Sequence, residues 1–178
     1  MLQTAAIFLD RDGTLIEDVH YCKDPALVRA FPGVVDALVS LRARGFRLVI
    51  ITNQSAIGRG LMTLDQYEAV HARTLEVLAP VEIDATYLCP ETPEKPSDRR
   101  KPAPGMVLEA ARDLDLDLSR SWFIGDKSID VQCGRASGTR SILVLTGRGT
   151  RDDGEGAQFV ARDLAEAAEF ILKQSDAS

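Results

Sequence analysis

Short apolar runs alternate along this chain with longer segments in which apolar residues recur every three to four positions. The runs at 5–9, 46–51, 83–89, 122–124 and 141–145 predict strands, continuous enough to be buried on both faces of a parallel sheet. Pro32-Gly33 opens a helix whose apolar positions Val34, Leu38 and Leu41 form one stripe, and Gly45 ends it. Thr63 is the predicted N-cap of a second helix with Leu64, Tyr67, His71, Leu75 and Leu78 on one face, which packs His71 at the edge of the core rather than presenting it as a ligand. Pro104 suits the first turn of a third helix, with Val107, Ala110 or Ala111, and Leu114 facing inward. Further helices are predicted near 129–136 and over 163–173. Residues 16–30 have no steady period and form a connecting loop or a small flap. Residues 58–60 and 90–101 are loops, and 147–156 is a Gly/Asp-rich stretch. Strands alternating with helices predict an α/β fold with a mostly parallel sheet and right-handed crossovers. The spacing leaves no room for a separate cap domain, so one domain over 1–178 with two small inserts (16–30 and 90–101) is expected.

Composition narrows the field of partners. A chain of 178 residues can bury a substantial core. With a formal net charge of −6 and no basic stripe beyond Arg99-Arg100-Lys101, a nucleic-acid partner is not expected. Cys22, Cys89 and Cys133 are odd in number and widely spaced, which suits reduced thiols. No apolar run reaches membrane-spanning length, and no basic flank followed by a long apolar region opens the chain. A cytoplasmic monomer is the expectation.

The candidate chemistry stands where the strands end. Asp10 and Asp12 follow the first strand, with Gly13 letting the backbone turn; Thr52 ends the second; Lys101 follows the loop after the third; Asp126 and Asp130 follow the fourth. Parallel topology brings such ends onto one rim, where α/β folds place their ligands. Singly, each feature has an ordinary explanation, a solvated turn for Asp-x-Asp-Gly or a surface position for Lys101. Together, in this order, they resemble the motifs of the haloacid dehalogenase superfamily, and the resemblance runs from Ile7 to about Leu145. It implies a Rossmann-like fold and an aspartyl-phosphate mechanism in which Asp10 is the nucleophile and Asp12 the general acid and base. It also implies that Thr52 and Lys101 hold the phosphoryl oxygens. Mg²⁺ is implied, held by the Asp10 and Asp126 carboxylates and the Asp12 carbonyl, with Asp130 buttressing the shell from outside. The electrostatics call for such a cation: at ~4 Å and an effective dielectric of ~20, each carboxylate–phosphate unit pair costs about 4 kcal/mol. An acid at position 12 favours a phosphatase, since dehalogenases of the superfamily have no alkoxide to protonate.

The flanking residues resemble one subfamily more closely: Phe8 to Thr14, Thr52 to Ser55 with Ile57 to Gly60, Arg100-Lys101-Pro102, and Gly125-Asp126-Lys127. That subfamily contains the D-glycero-D-manno-heptose 1,7-bisphosphate 7-phosphatases of lipopolysaccharide heptose biosynthesis and related histidinol-phosphate phosphatases. On this resemblance Asp18, His20 and Tyr21 belong to a sugar-facing flap. Asn53, Gln54 and Ser55 join Thr52 around phosphate and hydroxyls, although a helix-capping turn would also explain those three. Arg59 and Arg100 are implied in substrate recognition, and Lys127 in adding charge beside the metal. Arg59, Lys95, Arg99 and Arg100 are the basic candidates for a second phosphate. The subfamily often carries a structural zinc in the loop before Arg-Lys-Pro; here Cys89 is present, but Glu91, Ser97 and Arg99 stand at the other ligand positions, and no zinc is expected. The rival readings are a histidinol-phosphate or broad sugar-phosphate phosphatase, and a phospho-aspartyl signalling receiver. A receiver carries its phosphoryl acceptor on a later strand, apart from an adjacent acidic pair near the start. It is opposed here by Asp-x-Asp on the first strand and a second acidic motif far downstream.

Overall fold

The apolar runs become strands because their side chains alternate between two cores. In β1 (Ala6–Leu9), Ile7 and Leu9 point to one side of the sheet and Ala6 and Phe8 to the other, all four fully buried. A computed structural model describes residues 3–176 of the chain. Five further strands join β1: β2 (Arg47–Asn53), β3 (Ala85–Cys89), β4 (Trp122–Gly125), β5 (Arg140–Val144) and β6 (Phe159–Ala161). The sheet order is β3-β2-β1-β4-β5-β6, and every pairing is parallel.

The helices are α1 (Val34–Ala43), the one-turn α2 (Ser55–Gly58), α3 (Leu64–Val77), α4 (Gly105–Asp113), α5 (Ser128–Ser137) and α6 (Leu164–Asp176). One core layer packs Leu38 and Leu41 of α1 and Ala167 and Ile171 of α6 against Ile7, Leu48, Ile124 and Ile142. The opposite layer packs Met106, Val107 and Ala110 of α4 and Cys133 of α5 against Phe8, Val49 and Phe123. This is a Rossmann-like sheet flanked by helices on both faces. The chain leaves β1 toward β2 on one side and returns to β4 on the other, so a crevice opens beside the carboxyl end of β1.

Thr63 caps α3 as predicted: its side chain accepts from the Gln66 N–H while Gln66 accepts from the Thr63 N–H. The buried face of α3 differs from the predicted stripe. Tyr67, Val70 and Thr74 are buried, whereas Leu64 and Leu75 are 49% and 38% exposed. Thr74 can turn inward because its hydroxyl donates to the Val70 carbonyl at 2.9 Å, leaving no unsatisfied polar atom. His71 is half-buried against the Tyr67 ring, as the pattern suggested.

β6 was not legible in the sequence. It is three residues long at the sheet edge, with Phe159 and Val160 only half-buried. The 16–30 segment is closed at its neck by a bridge between Ile16 and Ala30 and pinned by buried Cys22 and Val28. No helix among the described residues is long and apolar enough to cross a membrane.

Candidate active site

Asp10 stands one residue beyond β1, its N–H bonded to the Ile124 carbonyl of β4 at 3.0 Å, which fixes it over the crevice. Lys101 reaches it from the far end of the 90–101 loop. Its ammonium lies 2.7 Å from Asp10 Oδ1, 2.7 Å from Asp130 Oδ1 and 2.9 Å from the Ile51 carbonyl. Lys101 is 3% exposed and Asp130 fully buried, so the charges are withdrawn from water together. Asn53 anchors the lysine backbone by a reciprocal pair, Nδ2 donating to the Lys101 carbonyl and Oδ1 accepting from its N–H. Burial opposes charge on Asp10, but Lys101 and then Lys127 outweigh it and hold this carboxyl below the usual carboxylate range. Burial likewise opposes charge on Lys101, and Asp10 and Asp130 overcome it, so the ammonium keeps its proton.

Asp126 follows β4 and faces Asp10. Burial, then the Asp10 charge, push its carboxyl up to about 7. Asp130, in the first turn of α5, is also raised by burial, with Lys101 opposing. One carboxylate oxygen from each of Asp10, Asp126 and Asp130 lies within 4.8 Å of the others. Asp126 Oδ1 is buried and accepts no hydrogen bond among the described residues, and Lys127 Nζ stands 3.5 Å away. An orphaned carboxylate oxygen in a cluster of hard oxygen donors fits a small divalent cation, which would take over the role a proton otherwise plays on Asp126. Asp130 is differently committed, to Lys101 and to the Lys127 N–H at 3.1 Å, as suits a residue steadying the shell rather than completing it.

Asp12 faces the open side. Arg11, 1% exposed, donates to it through Nε at 2.9 Å and Nη2 at 3.3 Å, and Gln54 Nε2 donates at 2.8 Å. The same Gln54 nitrogen donates to Thr52 Oγ1 at 2.8 Å, linking the ends of β1 and β2. Thr52 is buried and lines neither cavity of the site.

Two cavities meet at Asp12, Asn53 and Lys127. A small one of about 50 Å³ also touches Asp10, Lys101 and Asp130. An outer one of about 260 Å³ is walled by Asp18, His20 and Tyr21 of the 16–30 flap, by Gln54 and Ser55, and by Arg148. The His20 and Tyr21 rings lie 4.0 Å apart, and Tyr21 holds a left-handed φ of 50°. Of the sequence-predicted residues, Asp10, Asp12, Lys101, Lys127, Asp130, Asn53, Gln54, Ser55 and the three flap residues line these cavities, Thr52 and Asp126 lie buried beside them, and Arg59 and Arg100 line neither. Arg59 is turned to Glu94 at 2.8 Å, and Arg100 donates to the Glu91 carbonyl at 2.6 Å.

Sequence reasoning passed over the segment after β5. Thr146 Oγ1 donates to the Gly13 carbonyl at 2.7 Å, and the Arg148 N–H donates to Asp126 Oδ2 at 2.9 Å. A Cβ on Gly147 would overlap the Asp126 carboxylate, and one on Gly149 the Asp126 carbonyl. The available signal was positional: this stretch follows a strand end on the same rim. In the 90–101 loop, Glu91 accepts from the Ser97 N–H at 2.6 Å and Arg99 pairs with Glu109, so residues at three of the subfamily's ligand positions bind one another or α4.

A family model for HAD-hydrolase-like proteins matches residues 98–167. The chain is 38% identical to the D-glycero-beta-D-manno-heptose-1,7-bisphosphate 7-phosphatase of Yersinia pestis over 93% of this chain and 94% of that protein. It is 39% identical to the Escherichia coli K12 protein of the same name, over 95% and 94%. A crystal structure of D,D-heptose 1,7-bisphosphate phosphatase from B. bronchiseptica, complexed with magnesium and phosphate, superposes with a TM-score of 0.86 at 34% identity, covering 96% of this chain and 99% of that one.

Proposed function

The chain belongs to the haloacid dehalogenase-like hydrolases, in the family of the heptose-1,7-bisphosphate 7-phosphatases, and from that premise we propose that it removes the 7-phosphate of D-glycero-D-manno-heptose 1,7-bisphosphate. The observation that carries the chemistry is the ionised Asp10 beside the Lys101 ammonium, 2.7 Å away, at the floor of a cavity whose outer half holds Asp12 and the flap. Similarity over nearly the whole chain supports the sugar.

In the first half-reaction an Asp10 carboxylate oxygen attacks phosphorus as the bond to the ester oxygen breaks. Asp12 delivers its proton to the departing sugar oxygen, leaving an aspartyl phosphate on Asp10. Asp12 then takes a proton from water, whose oxygen displaces Asp10 and yields orthophosphate. Arg11 and Gln54 hold the Asp12 carboxylate in position for both transfers. Lys101 fixes the nucleophile's orientation and offsets negative charge on the phosphoryl oxygens. Mg²⁺, held by Asp10, Asp126 and the Asp12 carbonyl, supplies the remaining positive charge when bound. Thr52, buried at the end of β2, accepts from Gln54 and so steadies the amide that holds Asp12. Asp18, His20, Tyr21, Asn53 and Ser55 meet the sugar.

Phosphate release decides the matter. Wild-type protein with Mg²⁺ is expected to favour the heptose bisphosphate over histidinol phosphate and aryl phosphates by at least about tenfold in kcat/KM. Asp10→Asn is expected to fold normally and to lose about 10⁴-fold or more of its turnover on every ester. Full turnover in that variant would refute the aspartyl-phosphate reading, while a preference for histidinol phosphate would refute only the sugar.

A further inference from the structure

A bisphosphate leaves one phosphate at the reacting centre and must lodge the other elsewhere. None of the four basic side chains nominated by the sequence lines the outer cavity. Arg59 is paired with Glu94 and Arg99 with Glu109, Arg100 is hydrogen-bonded to a loop carbonyl, and Lys95 is exposed on the loop. The described cations that do line the cavity are Arg11, Lys127 and Arg148. Arg11 is buried against Asp12, and Lys127 stands beside Asp126. Neither can leave without exposing a carboxylate of the reacting centre.

Arg148 is built differently. Its N–H is fixed on Asp126, so its backbone is tied to the carboxylate cluster. The flanking Gly147 and Gly149 allow that close approach. Its side chain, by contrast, is 56% exposed and crosses the cavity mouth to Asp18 of the flap, Nε to Oδ2 at 2.8 Å. An ion pair this exposed is weakly held and exchanges readily for a stronger anion. A planar guanidinium suits a phosphate, which it can bind through two parallel hydrogen bonds.

We propose that Arg148 is a specificity residue, whose guanidinium leaves Asp18 to bind the non-reacting phosphate of the substrate. The exchange frees the Asp18 carboxylate to accept hydrogen bonds from sugar hydroxyls, so charge stays paired on the arginine and the acid turns to neutral donors. The inference rests on the bisphosphate reading given above and assigns that substrate's second phosphate a holder.

The test is the ratio of kcat/KM for heptose 1,7-bisphosphate to that for heptose 7-phosphate. Arg148→Gln is expected to lower this ratio about 10- to 100-fold, mainly through KM for the bisphosphate. Asp18→Asn breaks the same ion pair but keeps the guanidinium, and is expected to retain the ratio whatever it does to both rates. An unchanged ratio in Arg148→Gln overturns the proposal. A ratio lost equally in both variants also overturns it, because the pair would then act only as a strap on the flap. A second readout does not depend on heptose turnover: inhibition of p-nitrophenyl phosphate hydrolysis by mannose 1-phosphate. Its Ki is expected to rise in Arg148→Gln relative to that for inorganic phosphate, and an unmoved Ki counts against the proposal. Wild-type protein that spares the heptose bisphosphate would overturn the sugar assignment and this inference with it, whereas turnover of the bisphosphate with an unchanged ratio in Arg148→Gln overturns this inference alone.

Discussion

Lys101 is buried with two carboxylates and one carbonyl as its partners, and its position explains why the site is both reactive and fragile. Removing the cation between two buried acids leaves both carboxylates uncompensated away from water, whereas removing one acid leaves the ammonium paired with the other. Lys101→Met is therefore expected to lose about 3–5 kcal/mol in urea denaturation at pH 7. The pH dependence gives a further check. Without the ammonium, Asp10 loses the first of two lysines that lower its pKa, and Asp130 loses the one that chiefly opposes its rise. Asp130, already raised, should then titrate still further above its unfolded value of about 3.9. The native variant would hold more protons than its unfolded chain in the interval above that value, so its stability should rise as pH falls from 7 toward 5. A deficit that stays constant over that range would mean the lysine acts through packing alone. At this scale the sequence was informative about residue type and poor about commitment. It marked Arg59 and Arg100 as substrate contacts, and nothing local in a sequence reveals that Glu94 and the Glu91 carbonyl engage them first.

Among the elements, strand ends do most of the positioning. β1 delivers Asp10, β2 delivers Thr52 and Asn53, and β4 delivers Asp126, each at the carboxyl edge of an apolar run that could be recognised from composition alone. The segment after β5 shows what that reading lacked. Its glycines resemble those of any polar loop, yet Gly147 is there because Asp126 occupies the space a Cβ would need. Gly147→Ala is expected to cost about 1–3 kcal/mol and to lower kcat/KM at least about tenfold by displacing Asp126. Unaltered kinetics with an unaltered melting temperature would show that this loop yields freely and does not set the carboxylate. α3 offers the complementary lesson. Its capping box follows from Thr63 and Gln66, which are near in sequence, whereas its buried face depends on the surface it meets. Thr74 enters that face only because a carbonyl one turn back accepts its proton.

For the molecule as a whole, catalytic readiness and stability pull in opposite directions. Asp10, Asp126 and Asp130 are gathered in a buried cluster where burial and mutual repulsion raise two of the three carboxyls. A cation that binds only the folded protein repays this strain by mass action. Mg²⁺ at about a hundred times its Kd is expected to stabilise the protein by about 2–3 kcal/mol, a shift of several degrees in melting temperature. Asp126→Asn should melt no lower than wild type without the ion, because it removes a crowded charge, and should lose the Mg²⁺ response. A full response in that variant would place the ion elsewhere. From the chain alone came the parallel α/β class, the strand-end acids and lysine, and the chemistry they imply, because periodicity and residue type are local properties. Tertiary structure decided which cations line the cavity, which glycines abut the carboxylate cluster, and which face α3 buries. Those depend on what arrives from distant segments, and competition for a partner is settled only when all the competitors are in place.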